Sequence, residues 1–266
     1  MNAGGPGEAS ALPLSVAIVT LNEEENLPRL LASVRGLAGE IVIIDSGSTD
    51  RTEAIAKEAG AVFESAPWEG FVMQKNRALE RCTRPWALFL DADEALSPEL
   101  AASMRALFSD GRAPEGDGFW LNRRTWYLGE WIWHAWYPEW RLRLIRRGAG
   151  RWGGMDPHAK LEVAGATKRL EGDLLHYSFR DLQDHLERTI RYSRTMANSY
   201  IKAGKGFRWS QLLLSPWVAF FKHLVLKGGW RDGWRGWLIS VIRGIDVFAK
   251  YAFLLEKERV GSGGAK

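Results

Sequence analysis

Over the first hundred positions, apolar residues fall into short continuous runs separated by stretches with helical spacing. Residues 15–20, 41–44 and 86–90 are such runs, the pattern of strands buried on both faces of a sheet. Residues 61–63 add a short strand. Between the first two runs, Leu27, Leu30, Leu31 and Val34 recur at helical spacing, with acids upstream and Gly36 near the end. Ser46-Gly47-Ser48-Thr49-Asp50 is turn and N-cap chemistry leading into a helix over 51–59. A further helix is expected around 71–82, and Ser97-Pro98 opens another. Strands alternating with helices predict an α/β, doubly wound sheet. Farther on, residues 181–203 read as a helix with Asp181 near its start. Residues 209–221 are uncharged and strongly apolar, with Pro216 as an interruption.

The run 86–90 ends in Asp91-Ala92-Asp93-Glu94. Side chains alternate along a strand, so Asp91 and Asp93 are expected to leave its end on one side. Ligands in open α/β sheets bind just beyond that end. No Lys stands near the two acids in the chain, so they repel each other unless a cation intervenes. Hard oxygen ligands suit Mg²⁺ or Mn²⁺, with substrate phosphate completing the shell. The plainer alternative is a capped turn. Asp45 likewise follows an apolar strand, so three strands with polar or acidic ends define one pocket.

These residues resemble a known family. Val16-Ala17-Ile18-Val19-Thr20-Leu21-Asn22-Glu23-Glu24, Ile43-Ile44-Asp45-Ser46-Gly47-Ser48-Thr49-Asp50, Lys75-Asn76 and Asp91-Ala92-Asp93 stand in the order of family-2 glycosyltransferases of the GT-A fold. Trp136-Tyr137-Pro138-Glu139-Trp140-Arg141-Leu142-Arg143-Leu144, Arg151-Trp152-Gly153-Gly154, Asp156-Pro157-His158 and Gly172-Asp173-Leu174-Leu175-His176-Tyr177 extend the likeness. This later set is similar to bacterial enzymes of lipopolysaccharide core biosynthesis. The resemblance implies a Rossmann-like nucleotide-sugar domain with a mixed, mainly parallel sheet. It also implies metal-dependent, inverting transfer from a nucleoside-diphosphate sugar, a UDP-sugar by family habit. Thr20, Asn22 and Glu23 would lie along the base and ribose, and Asp45 would accept from the pyrimidine. Lys75 and Asn76 would sit near the nucleotide, with Asp91 and Asp93 holding the metal against the diphosphate.

For some of these residues a plain structural role is the alternative. Asp50 reads as an N-cap, Asn22 could be a helix cap, and Lys75 could sit on a solvated helix face. Arg141 and Arg143 are candidates to neutralise the departing diphosphate, or an edge strand with a charged outer face. The acceptor hydroxyl needs a general base. Asp156, after Gly153-Gly154, is the first choice and Glu139 the second. His158 could orient the base, help bind metal or acceptor, or be a loop histidine. Many relatives carry an acid directly after this histidine, where this chain has Ala159.

Length and composition fit one substantial core: 266 residues, 46% hydrophobic, and a single Cys that excludes an internal disulfide. The expected organisation is a disordered tail over 1–13 without a secretory signal, then a catalytic domain over 14–180. That domain would have a nucleotide-binding half, 14–110, and an acceptor-side half, 111–180. A helical, basic, Trp-rich amphipathic segment over 181–260 would follow. Between 201 and 259 there are 11 Lys or Arg against 4 Asp or Glu, a net +7, while the whole chain carries +4. No uncharged run reaches the roughly 20 residues of a spanning helix. Trp mixed with Lys and Arg beside apolar helices suggests peripheral docking on an anionic membrane, the inner face of the cytoplasmic membrane. A packed helical subdomain is the plainer alternative, and no nucleic-acid module accompanies the charge. Trp120, Trp126, Trp131, Trp133, Trp136 and Trp140 could wall an acceptor site, face a membrane or simply pack.

Two other classes remain at this stage. A sugar nucleotidylyltransferase would show a Gly-rich basic loop after the first strand, where this chain has Leu21-Asn22-Glu23-Glu24. A non-catalytic membrane scaffold leaves the clustered carboxylates unexplained.

Overall fold

The computed structural model describes residues 11–111, 113–154 and 159–260. The chain divides into two compact units. One runs to Arg123 and resumes over Glu139–His176; the other is made of Arg124–Pro138 and the chain from Tyr177 onward. Residues 124–138, expected in the acceptor-side half of the catalytic domain, thus group with the C-terminal helices.

The first unit is built on strands β1 (Leu12–Thr20), β2 (Ala38–Asp45), β3 (Val62–Ser65), β4 (Trp86–Asp91) and β5 (Glu94–Leu96). They are followed by β6 (Gly118–Tyr127), β8 (Glu139–Arg146), β9 (Gly150–Gly153), β10 (Lys160–Val163) and β11 (Thr167–His176), while the two-residue β7 (Glu130–Trp131) falls in the second unit. Helices α1 (Leu27–Val34), α2 (Thr52–Glu58), α3 (Phe71–Arg81) and α4 (Pro98–Leu107) alternate with the early strands. The sheet order is β3-β2-β1-β4-β8-β6-β11-β5. Its first four strands are parallel, and β8 enters antiparallel to both β4 and β6. β8 is therefore an interior strand, not the charged edge strand that Arg141-x-Arg143 allowed. β1 also begins earlier than the expected tail boundary, because Leu12 pairs with Ala38 of β2.

The continuous apolar runs have a direct cause. Leu14, Val16, Ile18, Ile43, Leu88 and Leu90 face one layer with Leu27, Leu30, Val34, Leu100 and Met104 of α1 and α4. Ala17, Val42, Ile44, Ala87 and Phe89 face the other with Ala78, Cys82 and Trp152. A sheet covered on both faces needs apolar residues at every position. Ser97 caps α4, accepting from Leu100 N at 3.1 Å, and Pro98 fills its first turn. At Gly172 (φ +90°) a Cβ would meet Leu100 N at 2.3 Å, so only glycine lets β11 pass α4 and bring His176 forward.

The second unit contains α5 (Leu182–Lys202), α6 (Trp209–Phe221) and α7 (Gly233–Val260). A π-type turn, Lys222–Leu226, and a 3-10 turn, Gly229–Asp232, join α6 to α7. Asp181 caps α5 through Asp184 N at 2.8 Å. Pro216 does not interrupt α6: it lies inside the helix, and Gly244 of α7 lets the Pro216 carbonyl and Phe220 approach closely. Ala197, Leu212, Val247, Tyr251 and Leu254 form the core. Most of the Trp-rich stretch packs too. Ile132 and Ala135 are buried with Tyr127 and Ile239, Trp131 meets Trp126 edge-on, and Trp136 meets Tyr127. Trp133 is exposed. Among the described residues, no helix is long and apolar enough to cross a membrane.

Candidate active site

Sheet register sets the site. Thr20 is level with Asp45, and Val19 is level with Asp91, so the ends of β1, β2 and β4 share one edge. Asp45 is 2% exposed. One of its oxygens accepts from Thr20 Oγ1 at 2.8 Å and from the Ser48 hydroxyl, the other from Gly47 N at 2.8 Å and Ser48 N at 2.7 Å. A carboxylate offers about four acceptor positions, and all four are used internally. Asp45 therefore shapes the loop after β2.

Asn22 is not a helix cap. It sits at φ +55°, its Oδ1 accepts from Thr49 N at 2.9 Å, and its own N–H donates to Ser48 Oγ at 2.7 Å. Glu23 N donates to Thr52 Oγ1 at 2.8 Å, and Glu24 N to Asp50 Oδ2 at 3.0 Å. The Glu23 carboxylate accepts from Asn26. Asp50 also accepts from Thr52 N, but it stands one position before the N-cap of α2, which is Arg51. The loops after β1 and β2 are thereby stitched into one platform.

Beside it runs a chain of charges. The fold supplies the cation that the local sequence lacks: Lys75 Nζ lies 2.7 Å from Asp91 Oδ1, and Arg143 Nη2 lies 2.6 Å from Asp91 Oδ2. Lys75 is thus not on a solvated face; it also stacks over the Trp152 ring at 4.4 Å. Arg143, 4% exposed, donates to Glu94 Oε1 at 2.8 Å. Glu94 accepts from Arg123 at 3.3 Å and from Asp91 N at 2.9 Å. Arg123 Nε continues to Glu139 Oε2 at 2.7 Å, and Arg141 pairs with the other Glu139 oxygen. Four cations thus meet three carboxylates. Burial would raise the Asp91 carboxyl, but Arg143 and then Lys75 hold it well below the usual range. Burial likewise opposes ionisation of Glu139, and Arg123 and Arg141 overcome it, leaving a pKa of about 2.

Asp93 is not on the strand. It lies in the turn between β4 and β5, an element the sequence pattern did not suggest, and faces His176 Nε2 at 3.4 Å. Burial raises its carboxyl and the imidazole more than offsets this. Asp91 and Asp93 therefore have different partners. Asp91 spends both oxygens on cations. Asp93 with His176 is a two-residue donor set, and no group of three or more His, Cys, Asp or Glu suited to a metal occurs among the described residues. Such a pair fits a divalent ion whose remaining shell is diphosphate and water.

Asn76 exchanges two hydrogen bonds with the Trp152 backbone, at 3.0 and 2.9 Å, so it anchors β9. Among the described residues, Arg143 Nε and Trp152 Nε1 are buried without a hydrogen-bond partner. Asp156 and His158 lie outside the described residues. Sequence reasoning missed Glu94, Arg123 and His176 as site residues. Glu94 stands three positions after Asp91, a usable signal, whereas Arg123 depends on the register that sets it opposite Glu139.

Residues 15–159 match the family described as Glycosyl transferase family 2. The chain is 34% identical over 255 residues to the lipopolysaccharide core biosynthesis glycosyltransferase LpsC of Rhizobium meliloti (strain 1021), covering 91% of this chain and 90% of that relative. It is 27% identical over 253 residues to an uncharacterized glycosyltransferase of Rickettsia typhi, covering 91% and 87%. Among solved structures, the mannosyltransferase PcManGT from Pyrobaculum calidifontis, in complex with GDP-Man and Mn²⁺, aligns with a TM-score of 0.52 at 14% identity, covering 94% of this chain and 89% of that one. The edge-on loops, the carboxylates beyond β4 and this coverage lead to one conclusion: the chain is a glycosyltransferase of family 2 with the GT-A fold.

Proposed function

We propose that this enzyme moves a sugar, with inversion, from a nucleoside-diphosphate donor to a lipid-linked or lipopolysaccharide-core glycan. We place it peripherally at the inner face of the cytoplasmic membrane. The observation that carries the reading is the shared edge of Thr20, Asp45 and Asp91-Ala92-Asp93 with Lys75 and Arg143 beside it. The likeness to LpsC along nearly the full length supports the acceptor class.

In this reading the platform of Thr20, Asn22, Glu23 and Asp45 receives the nucleoside, and Asn76 fixes the strand carrying Trp152. Lys75 and Arg143 turn from Asp91 toward phosphate oxygens, and Arg143 Nε, without a partner among the described residues, gains a phosphate acceptor. Asp93 and His176 would hold Mg²⁺ or Mn²⁺, which supplies charge neutralisation for the leaving diphosphate. Arg141, paired with Glu139, is the rim candidate for the diphosphate, and His158 stands two residues after the base in sequence.

Asp156 is the proposed base. Glu139 stays charged down to about pH 2, so it holds a proton weakly and makes a poor general base. Asp156→Asn should slow transfer about 10²–10⁴-fold with nucleotide affinity unchanged by calorimetry, and Glu139→Gln should slow it less. The opposite ranking would exchange their roles.

UDP- and GDP-sugars, each assayed with Mg²⁺, Mn²⁺ or EDTA, test the reading as a whole. Donor turnover should require the metal and rise with a lipid-linked core glycan. Nucleoside triphosphate formed from donor and pyrophosphate would instead mark a nucleotidylyltransferase.

A further inference from the structure

The second unit leaves an apolar surface uncovered along its own helices. α6 contains no charged residue, and it turns Leu212 toward the core while Trp209, Leu213, Leu214, Trp217, Val218 and Phe221 stay exposed. These positions recur every three to four residues, so they form one face. The tract continues through the joining turns, with Leu226 80% and Trp230 64% exposed. It resumes on α7 as a stripe of Trp234, Trp237, Ile245 and Phe248. A Trp ring offers about 150–250 Å². Five rings more than half exposed, at 209, 217, 230, 234 and 237, therefore leave roughly 600 Å² of aromatic surface. Exposed apolar area on this scale marks an interaction surface.

Charge decides what covers it. Exposed Lys222, Lys227 and Arg231 flank the tip at Val225 and Leu226. Between Gly204 and Lys250 the acids are Asp232 and Asp246, and both are used internally. Asp232 accepts from the N–H groups of Trp133, His134 and Ala135. Asp246 accepts from Ser193 and pairs with Arg243. A second copy would bring the same basic rim against this one. An anionic lipid surface supplies the missing counter-charge, and Lys and Arg can reach its headgroups while the rings enter the acyl boundary.

We infer that the exposed face of α6, the Lys222–Leu226 turn and the start of α7 insert into the headgroup and upper acyl layer of an anionic bilayer. Apolar insertion is the main attachment and the basic rim the secondary one. The inference deepens the membrane placement proposed above and rests on it, but not on the transfer chemistry.

The test uses the full chain with vesicles of phosphatidylcholine alone or mixed with phosphatidylglycerol. Wild type should co-sediment with both, more strongly with the anionic ones, and 1 M salt should remove only the difference. Lipids brominated on the acyl chain should quench its Trp emission. The triple variant Trp217→Gln, Leu226→Gln, Trp230→Gln changes only exposed side chains. It should bind more than tenfold more weakly to both vesicle types while metal-dependent donor hydrolysis in solution is retained. Wild-type binding by the triple variant, complete release of wild type by salt, or a vesicle-independent dimer that the variant abolishes would each overturn the inference. Vesicle binding as described by a protein that turns over no donor would instead count against the transfer reading alone.

Discussion

Glu94→Ala should destabilise the first unit by about 3–5 kcal/mol, the usual cost of removing one partner from a buried ion pair. Glu94 is 1% exposed and answers three donors: Arg143, Arg123 and the Asp91 backbone N–H. Without it, Arg143 keeps Asp91 and Arg123 keeps Glu139, but two guanidinium groups face each other with no anion between them. The Asp91 N–H also loses its acceptor just where the chain turns toward Asp93. Such a loss is a large share of the roughly 5–15 kcal/mol that holds a domain folded. Glu94→Gln should cost less, because an amide oxygen still accepts one bond while the charge is gone. Urea denaturation of the two variants and wild type measures the order. A midpoint for Glu94→Ala within experimental error of wild type would show that the carboxylate does not hold the chain of charges together.

The early strands were legible because burial on both faces writes itself as continuous apolar sequence; the runs at 15–20, 41–44 and 86–90 all lie in strands. Their shared edge followed from alternation with helices. What pairs with each acid was not legible. Lys75 reaches Asp91 from 16 positions upstream, carried on helix α3, and Arg143 from 52 downstream, carried on β8 beside β4. That Asp45 ends a strand was legible, but not that the turn residues following it, Gly47 and Ser48, donate to its oxygens. β5 escaped notice because three residues carry too little periodicity to register, and with it went the difference between Asp91 and Asp93. In the second unit the apolar run at 209–221 was plain, but sequence could not tell its packed face from its open one.

That difference between the two acids makes a sharp experiment possible. Asp93→Ala should reduce transfer about a hundredfold to a thousandfold, since a catalytic metal supplies several kcal/mol of transition-state stabilisation and each 1.36 kcal/mol is tenfold in rate. The fold should be kept, because Asp93 sits in a turn and pairs with His176 at 3.4 Å, outside the chain of charges joined through Glu94. Asp91→Ala should behave differently: it releases Lys75 and leaves Arg143 with Glu94 alone, so it should lose stability as well as rate. Donor turnover with increasing Mn²⁺, alongside the denaturation midpoint, separates the two. For Asp93→Ala the midpoint should match wild type while the Mn²⁺ needed for half-maximal rate rises at least tenfold. If Asp93→Ala retains wild-type turnover, or if wild type works equally well in excess EDTA, Asp93 does not hold a catalytic metal. The cationic pair Lys75 and Arg143 would then have to neutralise the leaving diphosphate by themselves.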